Sequence, residues 1–236
     1  GLDNIDLEAC TARGIEVIPA TGANAESVAE YVLAMAMILL RGAAYRSTSA
    51  VAAGRWPRQM LSQGREISGK TIGLVGFGSI GRVTARMAGA IGLRRVGHDP
   101  GVAADSPAWK EFGVVPAGLD ELLATADVVS LHLPLVKETR RLISEERIAR
   151  MKPGAILVNS ARGGIVDEAA LARALHAGRL AGAALDVFED EPLAAGSVLA
   201  DAPNLILTPH IAGVTQESNE RVSGLVAQRV AACLGR

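Results

Sequence analysis

Cysteine is scarce in this chain: Cys10 and Cys233 stand at opposite ends of 236 residues. That spacing excludes a disulfide framework and offers no metal-type cluster, and it favours a reducing compartment, the cytoplasm, with both thiols expected to be buried. An excess of charge of one sign is missing too. With 24 basic and 25 acidic residues interspersed, the net charge of -1 gives no electrostatic argument for nucleic acid or an anionic membrane, so a small molecule is the expected partner. No apolar run reaches the ~20 residues of a membrane span. The longest, Tyr31 to Leu40, lies between Glu30 and Arg41 and reads as a buried helix. There is no internal repeat, and nothing reads as disordered. No initiator methionine or signal peptide precedes Gly1-Leu2-Asp3-Asn4, and the sequence reads as the later part of a longer polypeptide.

What is present centres on residues 71–99. A short apolar run, Thr71 to Val75, leads into Gly76-x-Gly78-x-x-Gly81. Ile80, Val83, Met87 and Ile91 then share one helical face, and a second apolar stretch stops at Asp99. Strand, glycine turn, helix, strand and acid in that order predict a dinucleotide site. Gly76 permits the tight turn, Gly78 lets the backbone approach a pyrophosphate, and Gly81 lets the helix pack closely on the strand. The helix opening at Ser79 and Ile80 points free N–H groups and the positive end of its dipole at the phosphates. Asp99, 18 residues beyond Gly81, is placed to accept hydrogen bonds from an adenosine ribose. Pro100-Gly101 and no arginine follow it, so it repels a 2′-phosphate and NAD is expected over NADP.

The rest of the chain alternates. A short helix or turn over 6–13 and a strand-like 15–19 precede a helix over 24–46 and a Gly-, Ser-, Arg- and Gln-rich connection over 47–68. Strands over 128–133, 155–158, 182–187 and 205–208 then alternate with helices ending near Phe112 and over 119–126, 144–151 and 167–177. The final helix, 216–234, carries Val222, Leu225, Val226, Val230, Cys233 and Leu234 on one side. This alternation implies the α/β class with a doubly wound parallel sheet. The 24–46 helix is apolar on nearly every face and needs neighbours on both sides, so a homodimer is expected.

Ligands of such sheets sit beyond the carboxyl ends of the strands. Three of those ends carry reactive side chains: Arg162 in Asn159-Ser-Ala-Arg-Gly-Gly164, Glu191 in Asp186-Val-Phe-Glu-Asp-Glu-Pro192, and His210 in Thr208-Pro-His-Ile-Ala-Gly213. An arginine fork matches a carboxylate or a polarised carbonyl, and a histidine oriented by a carboxylate moves a proton near neutral pH. With a nicotinamide, these are the parts needed to reduce a 2-keto acid. Taken singly, each has a plainer role: Arg162 as a capping cation, Glu191 in a solvated acidic loop, His210 as a turn histidine. Their coincidence at three strand ends argues for a site. His98, His132 and His176 read as structural.

These motifs, together with Asn24-Ala-Glu-Ser-Val-Ala-Glu30 and His132-Leu-Pro134, run in order along the whole chain and resemble the D-isomer-specific 2-hydroxyacid dehydrogenases, including D-3-phosphoglycerate dehydrogenase and the glyoxylate and hydroxypyruvate reductases. The resemblance implies that His210 is the acid/base with Glu191 as its partner, and that Arg162 binds the substrate carboxylate and carbonyl. It also implies that Asp186 lies near the nicotinamide carboxamide and Pro134 on the adenine side. Ala161 and Ser27 would contact the cofactor, and Asn24 the substrate. The implied organisation is the end of a flavodoxin-like substrate domain over 1–22, an interdomain helix over 23–46, a Rossmann domain over 47–214 and a helix returning to the substrate domain over 215–236. The same fold and polar trio also resemble the C-terminal-binding-protein corepressors, so an NAD-sensing binding protein is the rival expectation.

Overall fold

The apolar runs become strands because they are covered on both faces. The computed structural model describes residues 2, 5–42, 45 and 47–235. In it Thr71–Val75 (β1), Arg94–His98 (β2), Val115–Pro116 (β3), Val128–Leu131 (β4), Ile156–Asn159 (β5), Gly182–Leu185 (β6) and Leu205–Leu207 (β7) form one seven-stranded sheet, ordered β3-β2-β1-β4-β5-β6-β7. Every pair is parallel. β1, β4, β5 and β6 are buried along their whole lengths, as parallel strands between two helical layers must be.

The helices are Leu7–Ala12 (α1), Ala25–Leu40 (α2), Thr48–Ala52 (α3), Ser79–Ala90 (α4), Pro107–Glu111 (α5), Leu119–Thr125 (α6), Glu145–Arg150 (α7), Glu168–His176 (α8) and Gln216–Cys233 (α9). Alternate residues of the strands serve two cores. Ile72, Leu74, Ile156 and Val158 pack with Val32 and Ala36 of α2 and Ala85 and Ala88 of α4. Val75, Leu131, Leu157 and Leu185 pack with Leu122 of α6, Ile148 of α7 and Leu171 of α8. From β1 the chain runs outward to β2 and β3, then returns to β4 on the other side of β1. The strand order reverses there, which opens a crevice beyond the carboxyl ends of β1 and β4.

Several sequence expectations change. Residues 15–19 form no strand, because no strand edge lies beside them; instead Arg229 of α9 donates to the Pro19 carbonyl. α2 ends at Leu40, where Arg41 and the left-handed Gly42 (φ 63°) close it, and Ala43, Ala44 and Arg46 lie outside the described residues, as do Gly1, Asp3 and Asn4. α4 buries Gly81, Thr84, Ala85 and Ala88, whereas Ile80, Val83, Met87 and Ile91 are only half-covered. Small residues win that face because α2 packs directly on α4. Both cysteines are free; Cys10 is half-buried, and Cys233 is exposed because the predicted apolar side of α9 is only partly covered. Among the described residues, no helix is long and apolar enough to cross a membrane.

Candidate active site

The glycine turn closes where β1 meets α4. A Cβ on Gly76 (φ 100°) would fall 2.5 Å from the His132 carbonyl, and one on Gly81 would fall 2.3 Å from the Gly76 carbonyl, so neither position admits a side chain. Gly78 differs: nothing lies within 4 Å of its would-be Cβ. It is also the N-cap of α4 with no side-chain cap, which leaves the first N–H groups of a 12-residue helix, beginning at Ser79 and Ile80, free for an anion. Phe77 anchors the turn from behind, fully buried and stacked on Trp109 at 4.2 Å. Asp99 ties it to β2: one carboxylate oxygen accepts from Phe77 N–H at 2.7 Å and the other from Gly101 N–H at 2.8 Å. Each oxygen keeps acceptor capacity for a ribose hydroxyl. Bare helix donors, an open glycine and an acid at the end of β2 fit the pyrophosphate and ribose of a dinucleotide.

Beside this cradle lies a cleft of about 350 Å³ lined by Asn24, Ile80, Pro134, Ala161, Arg162, Asp186 and His210 among others. Residues 186 positions apart in the chain, Asn24 and His210, thus face one space. Glu191 stands behind the lining: its Oε2 lies 2.8 Å from His210 Nδ1, while its Oε1 accepts from Phe188 N–H at 3.0 Å. Ser27 is not among the residues that line the cleft. Its buried hydroxyl lies 3.1 Å from the hydroxyl of Thr215, the N-cap of α9.

The backbone is shaped to deliver these groups. His210 adopts φ 57°, a left-handed conformation that costs an ordinary L-residue roughly 1–2 kcal/mol. Asp186, 1% exposed, holds it there. Its carbonyl accepts from His210 N–H, and its carboxylate accepts from the N–H groups of Ile211 and Ala212, each at 2.8 Å. On the neighbouring loop, Asn159 clamps both sides of the arginine turn, accepting from Ala161 N–H and donating to the Arg162 carbonyl. Gly163 lets the two loops touch, because a Cβ there would lie 1.6 Å from the Phe188 carbonyl oxygen.

Electrostatics suit proton transfer. Burial raises the Glu191 carboxyl, but its hydrogen bonds to His210 and Phe188 N–H and the charges of His210 and Arg162 outweigh that, leaving it below the usual carboxylate range. An ionised Glu191 only accepts, so the His210 Nδ1 proton points at it and Nε2 is left for substrate. His132 is pushed down to about 4 by burial and stays neutral, in keeping with a structural role. Among the described residues no His, Cys, Asp and Glu group could hold a metal ion. Sequence reasoning gave no role to Gly163 or Thr208, although each lies within a quoted motif: Gly163 follows Arg162, and Thr208 opens Thr-Pro-His.

Known proteins resemble this chain in sequence and in fold. The family described as "D-isomer specific 2-hydroxyacid dehydrogenase, NAD binding domain" matches residues 33–212. The (S)-sulfolactate dehydrogenase of Chromohalobacter salexigens is 55% identical over all of this chain and 75% of its own length. The D-3-phosphoglycerate dehydrogenase of Mycobacterium leprae is 43% identical over 98% of this chain, which spans only 43% of that protein. In space, the D-lactate dehydrogenase of Aquifex aeolicus, solved with NAD and lactic acid, superposes with a TM-score of 0.85 at 38% identity, covering 100% of this chain and 74% of that one. Glycine cradle, strand-end trio and these likenesses agree, and the chain belongs to the D-isomer-specific 2-hydroxyacid dehydrogenases, a family of NAD-dependent oxidoreductases.

Proposed function

We propose that the chain interconverts a three-carbon 2-hydroxy acid and its 2-keto acid, with a second anionic group carried on C3. The observation that carries the chemistry is the His210–Glu191 pair, 2.8 Å apart, at a cleft that Arg162 shares. Bound NADH supplies the hydride for C2. In that direction His210 Nε2 gives a proton to the carbonyl oxygen, Glu191 stabilises the imidazolium, and Arg162 holds the substrate carboxylate and polarises the carbonyl. Oxidation uses the same groups in reverse. The relatives are named as dehydrogenases, which favours an enzyme over an NAD-sensing binding protein.

Two relatives support the second anion, one named for sulfolactate and the other for phosphoglycerate. Their stereochemical labels describe one hand. In D-3-phosphoglycerate the carboxylate outranks the phosphoryloxymethyl arm, but a sulfomethyl arm outranks the carboxylate, so (S)-sulfolactate has the same arrangement about C2. A single hydride face therefore serves both. The test is NADH oxidation by the full-length protein with sulfopyruvate, phosphohydroxypyruvate, hydroxypyruvate, glyoxylate and pyruvate. A charged contact is worth about 1.5–3 kcal/mol, so kcat/KM is expected to be roughly ten- to a hundredfold higher for a doubly anionic substrate than for pyruvate. Equal values would overturn the proposed substrate class. NADPH in place of NADH is expected to lower kcat/KM about a hundredfold, because a 2′-phosphate would face Asp99.

A homodimer is part of the same proposal. Of two tryptophans, Trp109 is buried and Trp56 is 77% exposed, with Met60 at 74% and Val51 and Met37 at 43% nearby in the chain or on α2. Aromatic and methionine side chains left in solvent mark an interface. Light scattering is expected to give twice the chain mass for the wild type and the single mass for Trp56→Glu/Met60→Glu; a monomeric wild type at micromolar concentration would refute it. Exposed Ile15, Val230 and Leu234 support assigning 1–22 and 215–236 to a substrate domain, apart from the cofactor domain over 47–214. Two free cysteines suit the cytoplasm.

A further inference from the structure

The Tyr31 hydroxyl on α2 lies 2.7 Å from Thr208 Oγ1, across 177 positions of sequence. Thr208 Oγ1 in turn lies 2.5 Å from Asp186 Oδ1. A threonine hydroxyl has one proton to give. The Asp186 carboxylate already accepts from Ile211 and Ala212 N–H, and Thr208 donates to it as well. With its proton spent on Asp186, Thr208 can only accept from Tyr31, so the phenol must be the donor. Donation converges on Asp186: Tyr31 gives to Thr208, Thr208 gives to the carboxylate, and the two N–H groups that follow His210 give to the same carboxylate. Burial, with a further contribution from the Asp186 charge, pushes the Tyr31 phenol up to about 12 despite its bond to Thr208, which keeps the donor protonated at any working pH.

We propose that Tyr31 is a positioning residue for His210, acting through Thr208 and Asp186 to hold the left-handed histidine turn with its imidazole facing the cleft. The proposal rests on His210 as the acid/base. Tyr31 also lies on the helix that begins beside Asn24, so one rigid element sets both a cleft wall and the histidine turn. Removing the donor leaves Thr208 free to rotate, and Asp186 then loses the fixed partner that orients its carboxylate toward the turn.

Tyr31→Phe keeps the ring and deletes only the donor. It is expected to lower kcat about tenfold, with KM and NADH affinity, measured by fluorescence titration, unchanged. Thr208→Val should lower kcat as much, and Thr208→Ser should restore it. The double variant Tyr31→Phe/Thr208→Val should be no worse than Thr208→Val alone, because both cut one chain. Additive losses, or a Tyr31→Phe variant with wild-type kcat, would overturn the proposal. If Tyr31→Phe does not fold, equal kcat for Thr208→Val and Thr208→Ser would overturn it, and a loss confined to Thr208→Val would support it. His210→Asn in the same assay separates the two levels: if it retains turnover the acid/base assignment fails, whereas an inactive His210→Asn beside a fully active Tyr31→Phe rejects the positioning role alone.

Discussion

His210→Asn is expected to lower kcat by roughly 10²- to 10⁴-fold, the usual worth of a general acid, while NADH affinity stays unchanged. Asparagine is the informative replacement because it tolerates the left-handed backbone better than most residues, so the turn at φ 57° survives and only the proton donor is lost. Little packing disappears with it, since the imidazole is 53% exposed. Single-turnover measurements with saturating NADH would read the chemical step, and near-normal turnover would remove His210 from its role. The pH dependence has a definite sign. The Glu191 carboxyl is lower in the folded protein than in the unfolded chain, so its contribution to the His210 turn is fully present above the ordinary carboxylate range and is lost only as pH falls through the depressed value. The contribution of Glu191 to the orientation of His210 is therefore intact at neutral pH.

Gly163→Ala is expected to lower kcat/KM about a hundredfold, although alanine adds only a methyl group. That carbon would sit 1.6 Å from the Phe188 oxygen and 2.1 Å from its carbonyl carbon, atoms of backbone that cannot rotate aside. The turn carrying Arg162 and the loop carrying Glu191 must then separate. A displacement of about 1 Å between catalytic groups costs on the order of 10² in rate. Overpacking should also destabilise the fold by about 1–3 kcal/mol in urea titrations. Gly178→Ala is the control. It has a left-handed φ of 66° with nothing within 4 Å of its Cβ, so it should lose stability and keep activity. Wild-type kcat/KM in Gly163→Ala would show that the contact between the loops does not set the geometry of the site.

The two variants differ in how visible their targets are before folding. His210 stands out in the sequence because it, Arg162 and Glu191 follow strand ends in a chain with a glycine-rich dinucleotide turn, although alone it reads as a turn histidine. Gly163 is not, because a second glycine beside Gly164 looks like ordinary turn chemistry until the Phe188 carbonyl is brought against it. The same difference separates α4 from α9. The glycine spacing correctly starts α4 at Ser79, but the buried face turns out to be its small residues, since the close approach of α2 is invisible to periodicity. The apolar side of α9 is real in the sequence and half-bare in the structure, because amphipathicity says which side seeks cover and not what supplies it.

By itself the sequence determined what local physics determines: the alternation of strands and helices from residue 71 onward (though not the fate of 15–19), where glycine must stand in the dinucleotide turn, and which strand ends carry an arginine, a carboxylate and a histidine. Tertiary structure decided how those ends meet. The order β3-β2-β1-β4-β5-β6-β7 sets the loops after β5, β6 and β7 side by side. Only that juxtaposition gives Asp186 its donors, Gly163 its carbonyl and Tyr31 its threonine, because a hydrogen bond or a steric contact depends on positions a few ångströms apart in space, and these are far apart along the chain.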